Sequence, residues 1–301
     1  MLPLESVPNV SEGRETDAIA AVGAAFGSRA RLLDVHSDVD HNRSVFTLVG
    51  SDGDEALVDS LVAGIAAARE VVDLRTHEGV HPRVGAADVV LIVPIRPGDM
   101  ERACQVAIGL GRRVGAELEL PVFLYGEVGG GRRPAFFRRG GPSELQGRID
   151  AGELVPDFGP ARLDPKAGAV LVGARKPLVA FNVVLASDDA EVARAVAAAV
   201  RESGGGLPGV QALGLRLESS GLAQVSMNLI DLDRVALHEV VARVAREAEG
   251  RGVAIESAEL VGLLPVAAAL GAAAGPLLLP GLDASHILEL NLLPDPELVS
   301  D

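Results

Sequence analysis

Hydrophobic residues along the first half of this chain follow the spacing of alternating helices and buried strands. Leu57, Leu61 and Ile65 recur at helical spacing, and the continuous apolar run at 89–95 is typical of a strand buried on both faces. A second helix is predicted over 100–118, where small and apolar residues again share one side. These elements predict a sheet with helices packed on it.

The order hairpin, helix, strand occurs twice, at about 32–95 and about 213–264. The pattern predicts an α/β (α+β) fold of two related split-βαβ, ferredoxin-like subdomains, each a sheet with helices packed on it. We place these subdomains at 1–178 and 179–301. The Gly-, Pro- and Arg-rich segment 127–166 is too long for an ordinary connection, and such loops are usually functional or disordered.

Composition supports a globular protein and limits its partners. The chain has 301 residues, of which 48% are hydrophobic and only 3% aromatic, so Ala, Val and Leu must build the core. The net charge of -15 argues against nucleic acid and anionic membranes as partners. An anionic ligand would therefore need a local positive pocket.

The cysteine content and the N-terminal sequence indicate a protein of the reducing cytoplasm. The single cysteine, Cys104, excludes an intrachain disulfide, and the N-terminus lacks the pattern of a signal peptide. The uncharged segment 261–282 is long enough to span a membrane, but prolines and glycines interrupt it. We interpret it as a strand end, a short buried helix over 266–274 and a loop.

Two histidines, His77 and His81, form the sharpest cluster of reactive side chains. A metal site is one interpretation of their spacing, but Gly79 and Pro82 disfavour the helix that such a pair needs. Acid/base chemistry is another, because imidazole exchanges protons near neutral pH and a following proline restricts His81 to extended backbone. A solvated loop with incidental histidines is the third interpretation.

Two further polar segments have a structural and a functional interpretation each. The segment 38–43 is either a hairpin turn, which Asp and Asn favour, or a set of donors and acceptors for a polar substrate. Four arginines form a basic patch beside Phe136 and Phe137, and a solvated or mobile loop is the favoured interpretation there. The four are Arg132, Arg133, Arg138 and Arg139.

Seven short motifs, in this order and spacing, make the chain resemble the formiminotransferase family. They are VPNVSEG (7–13), HNRS (41–44), HEGVHPRVG (77–85), VFLYGE (122–127), PDFGP (156–160), GARK (173–176) and FN (181–182). The resemblance implies transfer of a formimino group from N-formimino-L-glutamate to N5 of tetrahydrofolate, in histidine degradation and one-carbon metabolism. It also implies a dimer, with folate in a tunnel between the two subdomains.

The resemblance also implies roles for particular residues. The family's catalytic histidine falls on His81, which would act as general base and then general acid. The family's folate-contacting stretch falls on Gly159, Pro160, Ala161, Arg162, Leu163, Asp164, Pro165, Lys166, Ala167 and Gly168. Tetrahydrofolate would be a co-substrate, and no metal is expected.

Candidate substrate-binding residues come from chemistry and from one departure from the family. Arg43, Arg83 and Arg175 are candidate carboxylate clamps, since arginine can grip a carboxylate with two hydrogen bonds. Asn42 belongs to the polar segment beside them. His36 stands where animal members of the family have an aspartate, so the group that orients His81 is open.

Alternatives to the formimino reaction stay open at this point. One is folate-dependent formyl transfer involving glutamate, and the other is a folate-binding protein without catalysis. The sequence shows no cyclodeaminase region after the transferase region, so we expect no ammonia release and a possible separate cyclodeaminase as partner.

Overall fold

The computed structural model describes residues 2–232 and 234–265, together with 268, 269, 272 and 288. The chain divides into two compact units, Met1–Lys176 and Pro177–Asp301. Most of the helix predicted over 266–274 and most of the uncharged segment 261–282 lie outside the described residues. Within the described part, no helix is both long enough and apolar enough to cross a membrane.

The N-terminal unit is a seven-stranded sheet with helices on it. Its elements are β1 (Leu4–Ser6), β2 (Asn9–Val10), α1 (Thr16–Phe26), β3 (Arg31–Asp38), β4 (Arg43–Val49), α2 (Asp54–Val71), β5 (Ala87–Pro94), α3 (Met100–Glu117), β6 (Val122–Gly126), α4 (Pro134–Arg138), α5 (Gly141–Asp150) and β7 (Val170–Ala174). The short strands β1 and β2 both pair with β4 and β5, and β3 pairs with β4. β5, β7 and β6 then continue the sheet as parallel neighbours.

The two faces of this sheet have different coverings. One face packs against α1, α2 and α3, through side chains such as Phe26, Leu61 and Leu110. The other packs against α4 and α5, through Phe137 and Leu145. The helix predicted over 100–118 is confirmed as α3.

Part of the segment 127–166 is helical, which the sequence analysis did not predict. α4 begins with Pro134, and Pro142 lies in the first turn of α5, where the missing amide hydrogen costs nothing. Leu145 and Ile149, four residues apart, bury one face of α5. This short helical spacing was hidden in a segment dominated by Gly, Pro and Arg.

The C-terminal unit repeats the plan in a smaller antiparallel sheet. Its elements are β8 (Val179–Leu185), α6 (Ala190–Val200), β9 (Val210–Arg216), β10 (Ala223–Leu229), α7 (Leu237–Glu249) and β11 (Ile255–Val261). The strand order is β11-β8-β10-β9, and α6 and α7 pack with the sheet in one apolar cluster. Two sheets packed with helices confirm the predicted α/β (α+β) class.

One glycine in α2 sets how closely α1 and α2 approach. A Cβ placed on Gly64 would overlap the ring of Phe26, which is fully buried. We expect Gly64→Ala to lower the free energy of unfolding by about 1–3 kcal/mol, because the ring must move in a packed core. Gly109 in α3 is the matched control, since a Cβ there meets nothing within 4 Å. Gly109→Ala should raise the free energy of unfolding by about 0.5–1 kcal/mol. Urea unfolding of both variants is the measurement, and a lowered unfolding free energy at both positions would contradict the packing argument.

Candidate active site

The loop between α2 and β5, residues 77–85, is held in shape by its own arginine. The guanidinium of Arg83 donates to the backbone carbonyl oxygens of His77 at 2.7 Å, His81 at 3.0 Å and Gly79 at 3.1 Å. The amide of Val80 donates to the carbonyl of Asp40 in the β3–β4 turn at 3.2 Å. Arg83 thus fixes the backbone around His81, and its contact with a substrate stays a prediction.

Asn42 joins this loop to the turn between β3 and β4. It adopts a left-handed backbone conformation with φ of 46°, which asparagine tolerates better than most residues. Its Oδ1 accepts from the amide of Gly13 at 2.9 Å, and its Nδ2 donates to the carbonyl of Glu78 at 2.7 Å. The ring of His77 donates from Nε2 to the carbonyl of Asn42 at 3.1 Å. The turn predicted within 38–43 is therefore confirmed, and its hydrogen bonds position the histidine loop, residues 77–85.

A buried carboxylate, Asp88, lies at the start of β5. Its Oδ2 accepts from Nη1 of Arg43 at 3.0 Å and from Nη2 of Arg138 at 2.5 Å. Its Oδ1 accepts from the amide of Val84 at 2.7 Å. Burial by itself would raise the pKa of Asp88, but the two arginines and this amide lower the pKa to about 2. Asp88 is therefore ionised and anchors one side chain from β4 and another from α4.

Arg43 reaches His81 from the same carboxylate. Its Nε donates to Oδ1 of Asn9 at 3.0 Å, and its Nη1 lies 3.3 Å from Nδ1 of His81. Burial lowers the pKa of Arg43 to about 10, so the side chain stays charged at neutral pH. A fixed positive charge therefore lies next to the imidazole.

The imidazole of His81 is held neutral with one nitrogen free to act as a base. Nδ1 lies 2.8 Å from the carbonyl oxygen of Pro82, which can only accept, so we place the proton on Nδ1. Arg43 then approaches an N–H group and acts through its charge. Burial, followed by the charges of Arg43 and Arg138, lowers the pKa of His81 well below its ordinary value. The lone pair of Nε2 is thus available for a proton.

A second histidine ring lies beside His81. The ring centroids of His41 and His81 are 5.9 Å apart, and Nδ1 of His41 lies 3.8 Å from Oδ2 of Asp38. Nε2 of His41 is buried and has no hydrogen-bond partner among the described residues. The site therefore contains an unused polar atom close to the proposed base.

Tyr125 and Arg175 extend the site along β6 and β7. They occupy the carboxyl ends of these parallel strands, where Tyr125 lies opposite Gly173. Burial raises the pKa of Tyr125 to about 12 and lowers that of Arg175 to about 10, and the two groups interact electrostatically. Arg175 also donates to the carbonyl of Lys176 at 2.8 Å.

Arg43, Arg138 and Arg175 outnumber the single carboxylate of Asp88 in this region. We call these four side chains, together with His81, the cationic site; it lies on the face of the sheet that carries α4. Comparison with known proteins then identifies the family of the chain. Residues 3–175 match the model of the formiminotransferase domain, N-terminal subdomain, and residues 180–275 match that of the formiminotransferase domain. The chain belongs to the formiminotransferase family.

The similarity to known relatives covers most of the length of this chain. It is 40% identical over 298 residues to glutamate formimidoyltransferase of Thermoplasma acidophilum, covering 96% of this chain and 97% of that protein. It is 36% identical over 298 residues to the enzyme of the same name from Streptococcus pyogenes serotype M1, covering 96% and 98%. Formimidoyltransferase-cyclodeaminase of Rattus norvegicus is 39% identical over 284 residues, or 90% of this chain and 52% of that protein.

The segment 159–168 is hydrogen-bonded to residues on both sides of the histidine loop. Oδ2 of Asp164 accepts from Arg69 in α2 at 2.9 Å, and Oδ1 accepts from the amides of Lys166 at 2.8 Å and Ala167 at 2.9 Å. The carbonyl of Ala167 accepts from the amide of Ala86 at 2.8 Å. The segment is thereby tied to α2 and to the start of β5, and its contact with folate stays a prediction.

The remaining predicted residues take two different positions in the N-terminal unit. Arg43 and Arg175 belong to the cationic site, whereas His36 lies in β3 opposite Val45 of β4. The metal interpretation gains no support. Among residues 2–232 and 234–265, no group of three or more His, Cys, Asp or Glu side chains is placed to hold a metal ion.

Sequence reasoning missed Asp88 and misjudged Arg138. Asp88 had a signal, since it is the only charged residue in the apolar strand β5. The interpretation of Arg138 as part of a solvated or mobile loop is wrong, because its side chain is only 14% exposed and pairs with Asp88. No sequence rule distinguishes Arg138 from its exposed neighbour Arg139.

Proposed function

We propose that this protein transfers the formimino group from N-formimino-L-glutamate to N5 of tetrahydrofolate, with His81 as the general base and general acid. The observation that supports this most strongly is the 2.8 Å contact of Nδ1 of His81 with the carbonyl oxygen of Pro82, because a proton placed on Nδ1 leaves the lone pair of Nε2 for acid/base work. Membership of the formiminotransferase family supplies the reaction class.

The reaction needs one proton to move between two nitrogens. The N5 amine of the folate attacks the formimino carbon, and Nε2 of His81 accepts the N5 proton as the tetrahedral intermediate forms. The bond between that carbon and the glutamate nitrogen then breaks, and the imidazolium returns the proton to the departing amine. Atoms and charge balance, because 5-formiminotetrahydrofolate and glutamate leave with the histidine neutral again.

The protein can promote this step by orienting the imidazole of His81 and by offering positive charge to the carboxylates of the substrates. The carbonyl of Pro82 orients the imidazole, and Arg83 holds the backbone carbonyl of His81. Arg43 raises the acidity of the imidazolium and so favours the return of the proton. Both substrates carry carboxylates, and the arginines of the cationic site offer local positive charge in a protein of net charge -15. Arg175 is the member of this group at the end of β7.

Several finer features belong to the same proposal. Tetrahydrofolate is the co-substrate, and segment 159–168 contacts it beside the histidine loop. His36, Asn42 and Arg83 contribute to the substrate site directly or through the loop. The protein acts in the cytoplasm as a homodimer, within histidine degradation and one-carbon metabolism, alongside a separate cyclodeaminase.

The test is tetrahydrofolate-dependent release of glutamate from N-formimino-L-glutamate by the purified full chain. We expect one glutamate for each 5-formiminotetrahydrofolate formed, and none without folate. N-formyl-L-glutamate is the competing donor in a parallel assay. Faster turnover with the formyl donor, or folate binding with no glutamate release from either donor, would contradict the proposal.

A further inference from the structure

Arg138 extends from α4 toward Asp88 with part of its guanidinium unused. Its Nη2 lies 2.5 Å from Oδ2 of Asp88, and its side chain is only 14% exposed. Its Nε is buried and has no hydrogen-bond partner among the described residues. A buried N–H donor without an acceptor is unfavourable, and a bound acceptor would satisfy it.

The charges around Asp88 do not balance. One carboxylate faces two guanidinium groups, those of Arg43 and Arg138, and the neighbouring His81 is neutral. A net positive charge in a buried site favours an anion, and the planar fork of arginine fits a carboxylate especially well. The site therefore fits a carboxylate-bearing ligand.

The helix that carries Arg138 is fixed in place by aromatic contacts. Phe137 is fully buried, with its ring centroid 5.2 Å from that of Phe123 in β6. The guanidinium of Arg148 lies 4.5 Å from the ring centroid of Phe136 and donates to the carbonyl of Phe136 at 2.8 Å. Arg138 is thus presented by a rigid support, which reduces the entropy lost when a ligand binds.

The unused donor belongs to the same site as the catalytic base. Oδ2 of Asp88 accepts from both Arg138 and Arg43, and Nη1 of Arg43 lies 3.3 Å from Nδ1 of His81. A carboxylate bound at Arg138 would therefore place the rest of its ligand near the imidazole. The two substrates of the proposed reaction share one such group, a glutamyl carboxylate.

We propose that Arg138 binds a glutamyl carboxylate of a substrate and, together with Arg43 and Asp88, orients that substrate toward His81. This inference rests on the proposed function for the identity of the ligand. The glutamyl group can come from the formimino donor or from the tail of the folate. Tetrahydropteroate, which lacks that tail, distinguishes the two sources.

The decisive comparison is Arg138→Gln against Arg139→Gln, the same change at the exposed neighbouring residue. We expect Arg138→Gln to raise the KM of one glutamyl substrate at least tenfold and Arg139→Gln to leave both KM values unchanged. If the donor supplies the carboxylate, its KM rises equally with tetrahydrofolate and with tetrahydropteroate. If the folate tail supplies it, the KM of tetrahydrofolate rises and that of tetrahydropteroate does not. Unchanged KM values in Arg138→Gln would overturn the proposal.

The pH dependence of kcat/KM distinguishes a role of Arg138 in the site from a role in stability alone. His81 is influenced by Arg43 from β4, Arg138 from α4, Asp88 from β5 and His41 from the turn. Removing one of these cations should raise the pKa of His81 and shift the acidic limb of kcat/KM to higher pH. A loss of stability alone would leave this limb in place. Arg138→Lys keeps the charge, so the limb should stay while the KM still rises, and this variant serves if Arg138→Gln does not fold.

Calorimetric binding of L-glutamate to the full chain separates this inference from the proposed reaction. Binding that is weakened at least tenfold by Arg138→Gln, in a wild type that does not turn over N-formimino-L-glutamate, would contradict the reaction and keep the carboxylate site. Turnover by wild type with equal KM values and equal glutamate binding in Arg138→Gln would keep the reaction and reject the site.

Discussion

Replacing His81 with glutamine is expected to lower kcat by about 10²–10⁴-fold, which is the usual contribution of a positioned acid/base residue. Glutamine keeps a polar side chain of similar length but cannot accept and return a proton. The backbone of the loop should stay in place, because Arg83 holds it through carbonyl groups that the substitution leaves intact. The measurement is steady-state glutamate release at saturating concentrations of both substrates.

His77→Gln is the matched control for this experiment. Its ring shares the loop with His81 but donates to the carbonyl of Asn42, a bond that a glutamine amide can also make. We expect kcat within about tenfold of wild type, or less than about 1.4 kcal/mol in barrier height. Equal losses in His77→Gln and His81→Gln would indicate a damaged loop in both variants and would contradict a specific role for His81.

The pH profile of the wild type provides an independent check on the same residue. Burial and the nearby arginines lower the pKa of His81, so the base stays neutral to lower pH than a free imidazole. Activity should fall only when the pH drops through that lowered pKa. We therefore expect the acidic limb of kcat/KM below about pH 6.5, and a limb at or above this value would contradict the assigned electrostatics.

The periodicity of the sequence was sufficient to predict the main helices and strands. α2 and β5 follow from the spacing of Leu57, Leu61 and Ile65 and from the uninterrupted apolar run of the strand. α4 and α5 were missed because five and ten residues give too little periodicity to stand out among Gly, Pro and Arg. What α4 contributes, Phe137 and Arg138, depends on contacts with distant strands.

The candidate site shows the same division between local and distant information. His81 and Pro82 are adjacent, so their relation could be predicted from sequence. The ion pair of Asp88 with Arg43 and Arg138 joins residues 45 and 50 positions apart, which no spacing rule connects. Asp88 could have been suspected as a charge in a buried strand, but its partners could be identified only from the fold.

Replacing Asp88 with asparagine is expected to lower the free energy of unfolding by about 3–5 kcal/mol, because two guanidinium groups would stay buried without a carboxylate. Asp59→Asn is the matched control. Asp59 also lies between two arginines, Arg29 and Arg113, but it is 25% exposed, and water can replace the lost pairing. Urea unfolding of both variants tests this, and losses of similar size would contradict a special cost of burial at Asp88.

The double variant Asp88→Asn/Arg138→Gln tests whether the cost comes from unpaired charge. Removing Arg138 from the Asp88→Asn background takes away one buried cation, so the double variant should be more stable than the sum of the single losses predicts.

The pH dependence of the free energy of unfolding should lead to the same conclusion. The pKa of Asp88 is about 2, below the ordinary 3.8, so its pairing stabilises the wild type above about pH 4 and is lost as the pH falls toward 2. The difference in unfolding free energy between wild type and Asp88→Asn should shrink over that range. If this difference stays constant with pH, and if the losses in the double variant simply add, then packing and not charge makes Asp88 necessary.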